Sequence, residues 1–448
     1  MKILTPTTIL VLLTGLMATA SVCAAQSNDK EILYNGIELP GQWPPRYTMP
    51  AGTSRMPLPY IDHKPEVIPI NVGRQLFVDD FLIGSTDMER VNHHARMYEG
   101  NPVIAPDKPW EYRKNGTYMT MTFSGGLFYD ETDSLFKAWY TAGDYSKDGV
   151  SVPCFCYAES VDGKHWEKPG LDLIPGTNIV DTVRHDSQAV WLDKFEKDPA
   201  RRFKSVYVAT RDSCMYDLKY SPDGVHWSGT VAKSRGRIQD RSTIMYNPFR
   251  KKWIASLRIV SMKKENLRSR GYMEDDDLER LVSRAHWVQD EIDYVRDSNV
   301  FDYTLKDKDI VYWFTSDDMD YRHPDTSITK CTPAVYNFDA TAYESVMLGQ
   351  YAVWRGPENH ICNAKHIQKL NEFCLGFSRD GFHYSRPDHR PVMASEQKEG
   401  VWNWGNMQSI NGTPLIVGDS LYFYSSGRRL NKIMWDSYTS TGLAKLRR

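Results

Sequence analysis

The chain has little of what would tie it to a polyanion, a bilayer or a disulfide framework. Its 55 Lys and Arg nearly cancel its 57 Asp and Glu, leaving a formal net charge of −2. That balance gives no argument for nucleic acid as a partner. Past the N-terminus no apolar run is long enough to span a bilayer, so no transmembrane segment is expected. Cysteine is scarce, with 7 in 448 residues. Six of these are scattered between Cys154 and Cys374, which is not the pattern of a disulfide scaffold. Cys154-x-Cys156 has no second pair at zinc spacing, so no metal site is read from it. No cofactor is expected, and a structural calcium is the one ion left open.

The N-terminus is the exception to this shortage of apolar sequence. Lys2 precedes an apolar stretch over residues 9–20, and small residues follow at Ala24 and Ala25. Residues 1–25 read as a signal peptide, which places the protein outside the cytoplasm, periplasmic or extracellular. Cys23 raises the question of a lipid anchor. Val22 is a poor residue before a lipidated cysteine, so export without an anchor is the reading.

What the chain does have is a repeated phrase. Ser160-Val161-Asp162-Gly163-Lys164-His165-Trp166 returns as Ser221-Pro222-Asp223-Gly224-Val225-His226-Trp227 and as Ser378-Arg379-Asp380-Gly381-Phe382-His383-Tyr384. A degraded copy starts at Ser316. Starts at 160, 221, 316 and 378 stand 61, 95 and 62 residues apart, a fixed period with one insertion. Each copy ends a short aromatic run and carries an Asp-Gly turn, as a strand feeding a hairpin does. A second strand–turn–strand element lies upstream of each. Four antiparallel strands per repeat make a β-propeller blade.

The fold class is therefore all-β: a five-bladed β-propeller with an irregular N-terminal arm and a helical insertion in blade three. Blades begin near 116, 183, 238, 333 and 402. The Pro-rich residues 26–74 form the arm, and 75–448 form the propeller. The insertion covers about 261–297, with helix-like composition over 273–293. Blade five lacks a fourth strand at the C-terminus. The apolar residues 75–83 are expected to supply it and close the ring, protecting two sheet edges. One of Asp79 and Asp80 then faces the apolar side and needs a partner.

Chemistry in such a ring is expected where the inner strands begin. Asp186 lies seven residues before Asp193, and Asp240 seven before Asn247, so the two are repeat-equivalent. Blade four offers the run from Asp339 to Glu344. Asp186, Asp240 and Glu344 are the candidate catalytic carboxylates, because glycoside hydrolysis needs one acid to protonate the leaving oxygen and another to attack or activate water. His185, Arg211, Arg241, Arg258, Asp339, Tyr343, Trp402, Trp404 and Arg428 are the candidate substrate-binding residues. Each also has an ordinary structural alternative: a turn cap for the acids, surface ion pairs for the arginines, packing between blades for the tryptophans.

The segments Phe136-Lys137-Ala138-Trp139-Tyr140 and Cys156-Tyr157-Ala158-Glu159-Ser160-Val161-Asp162-Gly163-Lys164-His165-Trp166 resemble the five-bladed β-propeller glycosidase superfamily. That group holds invertases, levansucrases, arabinanases, β-xylosidases and mannoside phosphorylases. The chain is most similar to exported family-32-like glycosyl hydrolase proteins, in which a phrase like Gln75-Leu76-Phe77-Val78-Asp79-Asp80-Phe81 opens the domain. The resemblance spans about residues 74–448. It implies a secreted enzyme hydrolysing O-glycosyl bonds in an oligosaccharide or polysaccharide. The invertase Arg-Asp-Pro phrase is matched loosely by Arg184-His185-Asp186 and Gln239-Asp240-Arg241. The Trp-Met-Asn-Asp-Pro and Glu-Cys phrases of invertases do not occur. The alternative class is a catalytically silent propeller that binds sugar within a glycan-processing system.

Overall fold

The computed structural model describes residues 30–47, 55–113, 116–147, 150–183, 185–209, 215–261, 267–286, 309–429 and 438–448. Five sheets follow one another along the chain, antiparallel except where Tyr118–Met119 runs parallel to Tyr438–Arg447 in the fifth. Blade one pairs Leu127–Asp130, Leu135–Lys147, Val150–Ser160 and Ile179–Asp181 in that order. Blade two pairs His185–Leu192, Phe203–Ala209, Tyr216–Ser221 and Ala232–Lys233. Blade three is Thr243–Asn247, Lys252–Ser261, Leu267–Asp275 and Val311–Phe314. Blade four is Ala334–Tyr343, Val346–Trp354, Asn371–Ser378 and Tyr384–Ser385. Blade five has Gly405–Gln408 and Leu415–Val417 inside, then Ser420–Arg429 and Tyr438–Arg447. Three short α-helices, Pro59–Asp62, Leu278–Arg284 and Asn359–Lys365, are present among the described residues. None of the described helices is long and apolar enough to cross a membrane.

The blades stack through aromatic side chains. Val346–Trp354 is buried along its whole length because a neighbouring blade covers each face. Between blades three and four, Trp313 packs edge-on against Phe338 at 4.6 Å and Tyr384 at 5.9 Å between ring centroids.

The repeated phrase proves to be a clasp between blades. In each copy the serine Oγ accepts the glycine N–H, at 2.9 Å in Ser160, 2.8 Å in Ser221 and 2.8 Å in Ser378. The aspartate Oδ1 accepts the next two backbone N–H groups, and its Oδ2 meets the histidine Nδ1 at 2.8, 2.6 and 2.6 Å. The turn then docks on the preceding blade. Tyr424 donates to the Gly163 carbonyl at 2.8 Å, Trp139 to Gly224 at 2.7 Å and Trp313 to Phe382 at 2.7 Å. Gly224 has φ +82°, and a Cβ there would lie 2.4 Å from the Trp139 ring. Glycine is required on both counts.

Three expectations are corrected. Ser316–Tyr321 is not the blade-three copy of the phrase, because it follows that blade's fourth strand, Val311–Phe314. The third strand ends at Asp275, where Asp277 caps the helix Leu278–Arg284 by accepting the Arg280 N–H at 2.8 Å. Leu267–Asp275, placed in the insertion by composition, is a strand of the blade itself. Ring closure comes from Arg96–Met97, paired with Lys445 and Ala444, rather than from residues 75–83. The latter dock beside the blade-four turn. There buried Asp79 finds its partner in Arg379, whose Nε lies 2.9 and 3.1 Å from its two oxygens. The arm lies on the same end. Asn35 donates to the Arg379 carbonyl at 2.8 Å, Arg250 pairs with Glu31 at 2.9 Å, and the Tyr47 hydroxyl meets His383 at 2.6 Å.

Candidate active site at the kinked end of the channel

Each inner strand runs from one rim to a hairpin on the other, and the Asp-Gly turns share the hairpin rim. At the opposite rim the chain leaves regular geometry within or just before each inner strand. Phe123 in blade one, Arg241 in blade three and Asn406 in blade five adopt φ of +45°, +61° and +57°. In blade two the register shifts between His185 and Ser187, around Asp186. In blade four it shifts between Val335 and Asn337, around Tyr336. Bulges and left-handed non-glycine residues re-aim side chains, cost about 1–3 kcal/mol each where strained, and gather at functional sites.

Arg241 is buried, with its guanidinium 3.4 Å from the Phe123 ring centroid. Asp240, half-buried beside it, forms an ion pair with Arg258, and Arg268 Nη2 stands 3.6 Å from its carboxylate. The Arg268 guanidinium covers the Tyr336 ring at 3.9 Å, and Lys369 Nζ lies 3.5 Å from the Tyr336 hydroxyl. Arg428, on the second strand of blade five, reaches the Met121 sulfur at 3.5 Å. Burial alone would raise the Tyr336 pKa. Lys369, Arg268, Arg241 and Arg428 override it and bring the phenol down to about 7.

Below these residues lies Asp339, fully enclosed. Its Oδ2 accepts from Ser409 at 2.6 Å, Asn337 at 3.0 Å and Ser124 at 3.3 Å, tying blades five, four and one. Burial pushes its pKa up, against those hydrogen bonds and the nearby Arg270. Asp339 therefore forms the floor of the site.

Of the residues expected from sequence, Asp240, Arg241, Arg258 and Arg428 come together here, with Asp339 beneath. The backbone of His185 and Asp186 is at the same rim in blade two. Their side chains, and Arg211, lie outside the described residues. Glu344 and Tyr343 do not belong. They sit at the blade-four hairpin, seven or eight residues along the strand from Tyr336, about 25 Å away at the rise of an extended strand. Glu344 accepts from the Arg74 N–H at 2.9 Å, also pairs with Arg448, and its pKa is lowered chiefly by that Arg74 hydrogen bond. Trp402 lies on the blade-five sheet, where a Cβ on Gly442 would meet its ring at 2.1 Å, so its role is packing. Half-buried Trp404 contributes its carbonyl, which accepts the Gln397 N–H at 3.1 Å.

Tyr336, Arg268 and Lys369 were missed by sequence reasoning. Counting back from Glu344's hairpin by the interval that finds Asp240 would have reached Tyr336. Away from this site, Asp317, Asp320 and His389 come close enough to hold a metal ion, but the Arg386 guanidinium pairs with both aspartates, at 2.9 Å from Asp317. Burial lifts the Cys154 thiol to about 12, which leaves it unreactive.

No protein-family model and no curated protein matches this chain. Solved structures similar to it include an N-acetylgalactosamine deacetylase from F. plautii in complex with blood group B trisaccharide, at 13% identity over 79% of this chain and 95% of that one, with a TM-score of 0.47. A β-1,2-mannobiose phosphorylase from Listeria innocua matches at 13% identity over 79% and 96%, with a TM-score of 0.46. A thermostable family-43 glycoside hydrolase matches at 9% identity over 75% and 93%, with a TM-score of 0.47. At these values the likeness concerns the course of the chain alone.

Proposed function

We propose that the protein is an exported glycoside hydrolase whose chemistry takes place at the kinked end of the channel, with Asp240 and Asp186 as the working carboxylates. The observation that carries this reading is the irregular backbone within or just before each of the five inner strands, with a half-buried, ion-paired carboxylate at Asp240 and Asp186 at the bulge of the preceding blade. Asp240, held by Arg258, suits the base or the group that steadies an oxocarbenium-like transition state. Asp186 is then the proton donor, and the gap between the two decides retention or inversion. The substrate is an oligosaccharide or polysaccharide, since the other walls are polar, cationic and aromatic. Glu344 has no part in this proposal.

The test is release of reducing sugar from a panel of neutral and acidic plant polysaccharides across pH 4 to 9. A bell-shaped profile that Asp186→Asn flattens on its alkaline limb is expected. Blade one places Phe123, not a carboxylate, just before its inner strand. A sugar-binding propeller would tolerate that, so tight binding without cleavage of any polymer would favour the binding module.

A further inference from the structure

We infer that a groove on the hairpin rim of blade five binds an acidic polysaccharide, seating its carboxylates or sulfates against Arg96, Lys445 and Arg447. The groove encloses about 970 Å³ and is lined by the closing strand Arg96–Met97, the turn at Tyr98 and Glu99, and the end of Tyr438–Arg447. Arg96 lies directly opposite Lys445 in the antiparallel pair, so both side chains leave the sheet on one face. Arg447, two residues on, joins that face about 7 Å along the strand. Like charges directly opposite each other destabilise a sheet unless something answers them. Among the described residues no ion pair reaches Arg96, Lys445 or Arg447. The acids around them are taken: Glu344 by Arg74 and Arg448, Asp388 by His94 and Arg390, Asp162 by His165. Lys164 reaches the same place, its Nζ 6.0 Å from the Tyr422 ring that Lys445 covers at 5.5 Å. Glu99 and Asp419 are the nearby acids outside any ion pair, against four such cations.

Lys445 feels this crowding. Its ammonium stands 4.3 Å from the Tyr98 ring centroid, and burial and Lys164 hold its pKa below the usual value against the pull of Asp162 and Glu99. The groove has the size of a site for several sugar units rather than for one small ion. It lacks the open apolar centre on which a protein partner anchors, because Met97 and Leu446 pack into the core between blades four and five. A polymer with charges along its length and hydroxyls between them suits such a wall, and planar guanidinium forks take carboxylate and sulfate alike. Ser420, on the lining, is eight residues along its strand from Arg428, so about 25 Å separates the groove from the site in the channel. The charge of the groove stands apart from the reading of the channel, and only the choice of a sugar polymer rests on it.

The experiment is calorimetric titration of the full chain with polygalacturonate, dextran sulfate, dextran and poly-glutamate. At least one of the two acidic polysaccharides is expected to bind about ten times more tightly than dextran or better, and to weaken as salt rises. The tighter of the two identifies the preferred group. Arg96→Gln combined with Arg447→Gln, both at exposed positions, should weaken that polymer about tenfold or more, the scale of charge-assisted hydrogen bonds. Lys398→Gln, exposed and outside the groove, should leave it unchanged. Hydrolysis of whichever short oligosaccharide the wild type cleaves should be the same in the double variant. Equal affinity for dextran and both acidic polysaccharides would overturn the inference. So would poly-glutamate bound as tightly as either, or a loss at Lys398→Gln equal to that of the double variant. Tight binding of an acidic polysaccharide at the groove with no glycan cleaved would keep it and sink the hydrolase. Cleavage of a glycan with no acidic polysaccharide held by the groove would do the reverse.

Discussion

At one end of the channel Ser160, Ser221 and Ser378 make the same hydrogen bonds in three blades. At the other end Phe123, Asp186, Arg241, Tyr336 and Asn406 mark the irregular backbone of the five blades, and no two are alike. At the repeated end the turn aspartates are saturated by backbone N–H groups and the turn glycines take left-handed φ, while Ser134, Lys251 and Glu344 take it in the inner hairpins of the same rim. The varied end is charged, and its left-handed positions hold an arginine, a phenylalanine and an asparagine. Packing is a problem that every blade shares, so its solution recurs. Chemistry needs different groups on different walls, so it appears where the repeat breaks.

The comparison breaks first if the clasps are not what holds the ring. Trp139→Ala removes a fully buried ring and its hydrogen bond to Gly224, and should cost about 3–5 kcal/mol. Urea unfolding would measure it, and a loss below about 1 kcal/mol would mean the docking is dispensable.

Acid should act on the same end. Burial alone would raise the Asp223 pKa, but His226 and the backbone N–H groups bring it down to about 2, and Asp162 and Asp380 are lowered in the same way. A lowered carboxylate contributes stability that is full above its unfolded pKa, near 4, and is lost as pH falls through the folded value. The urea midpoint should therefore drop between about pH 4 and pH 2. Asp380→Asn, at the most buried of the three, should lower it already at pH 7 and flatten that drop. A wild-type midpoint level down to pH 2 would contradict the turn's electrostatics.

A smaller effect sharpens the contrast at the other end. Arg241→Gly relieves a left-handed arginine and removes one cation. Stability should change by no more than about 1 kcal/mol, because relieved strain offsets lost contacts. Reducing-sugar release should fall nonetheless. Stability falling by several kcal/mol would make Arg241 a structural residue.

The blades were legible because the clasp uses residue types that nothing else replaces: glycine for φ, serine and aspartate for the turn's N–H groups, histidine to hold the aspartate. Blade three misled because a capped helix at Asp277 does the work of its Asp-Gly turn. The closing strand was hidden because two residues, Arg96 and Met97, carry no period. Asp240 was legible through repeat spacing. Tyr336, Lys369 and Arg268 were not, since a bulge shifts one and the other two reach in from a loop and a third strand. Glu344 attracted notice only as an acid near Asp339. Residues seven or eight apart on a strand end on opposite rims.

The most direct test of the division between the two ends is to compare Asp240→Asn and Glu344→Gln in reducing-sugar release from whichever polysaccharide the wild type cleaves, both variants checked for native unfolding midpoints. Asp240→Asn should lose about 10²-fold or more in rate, the scale of a removed acid–base group. Glu344→Gln should stay close to wild type. A hundredfold loss at Glu344→Gln with Asp240→Asn unaffected would contradict the account.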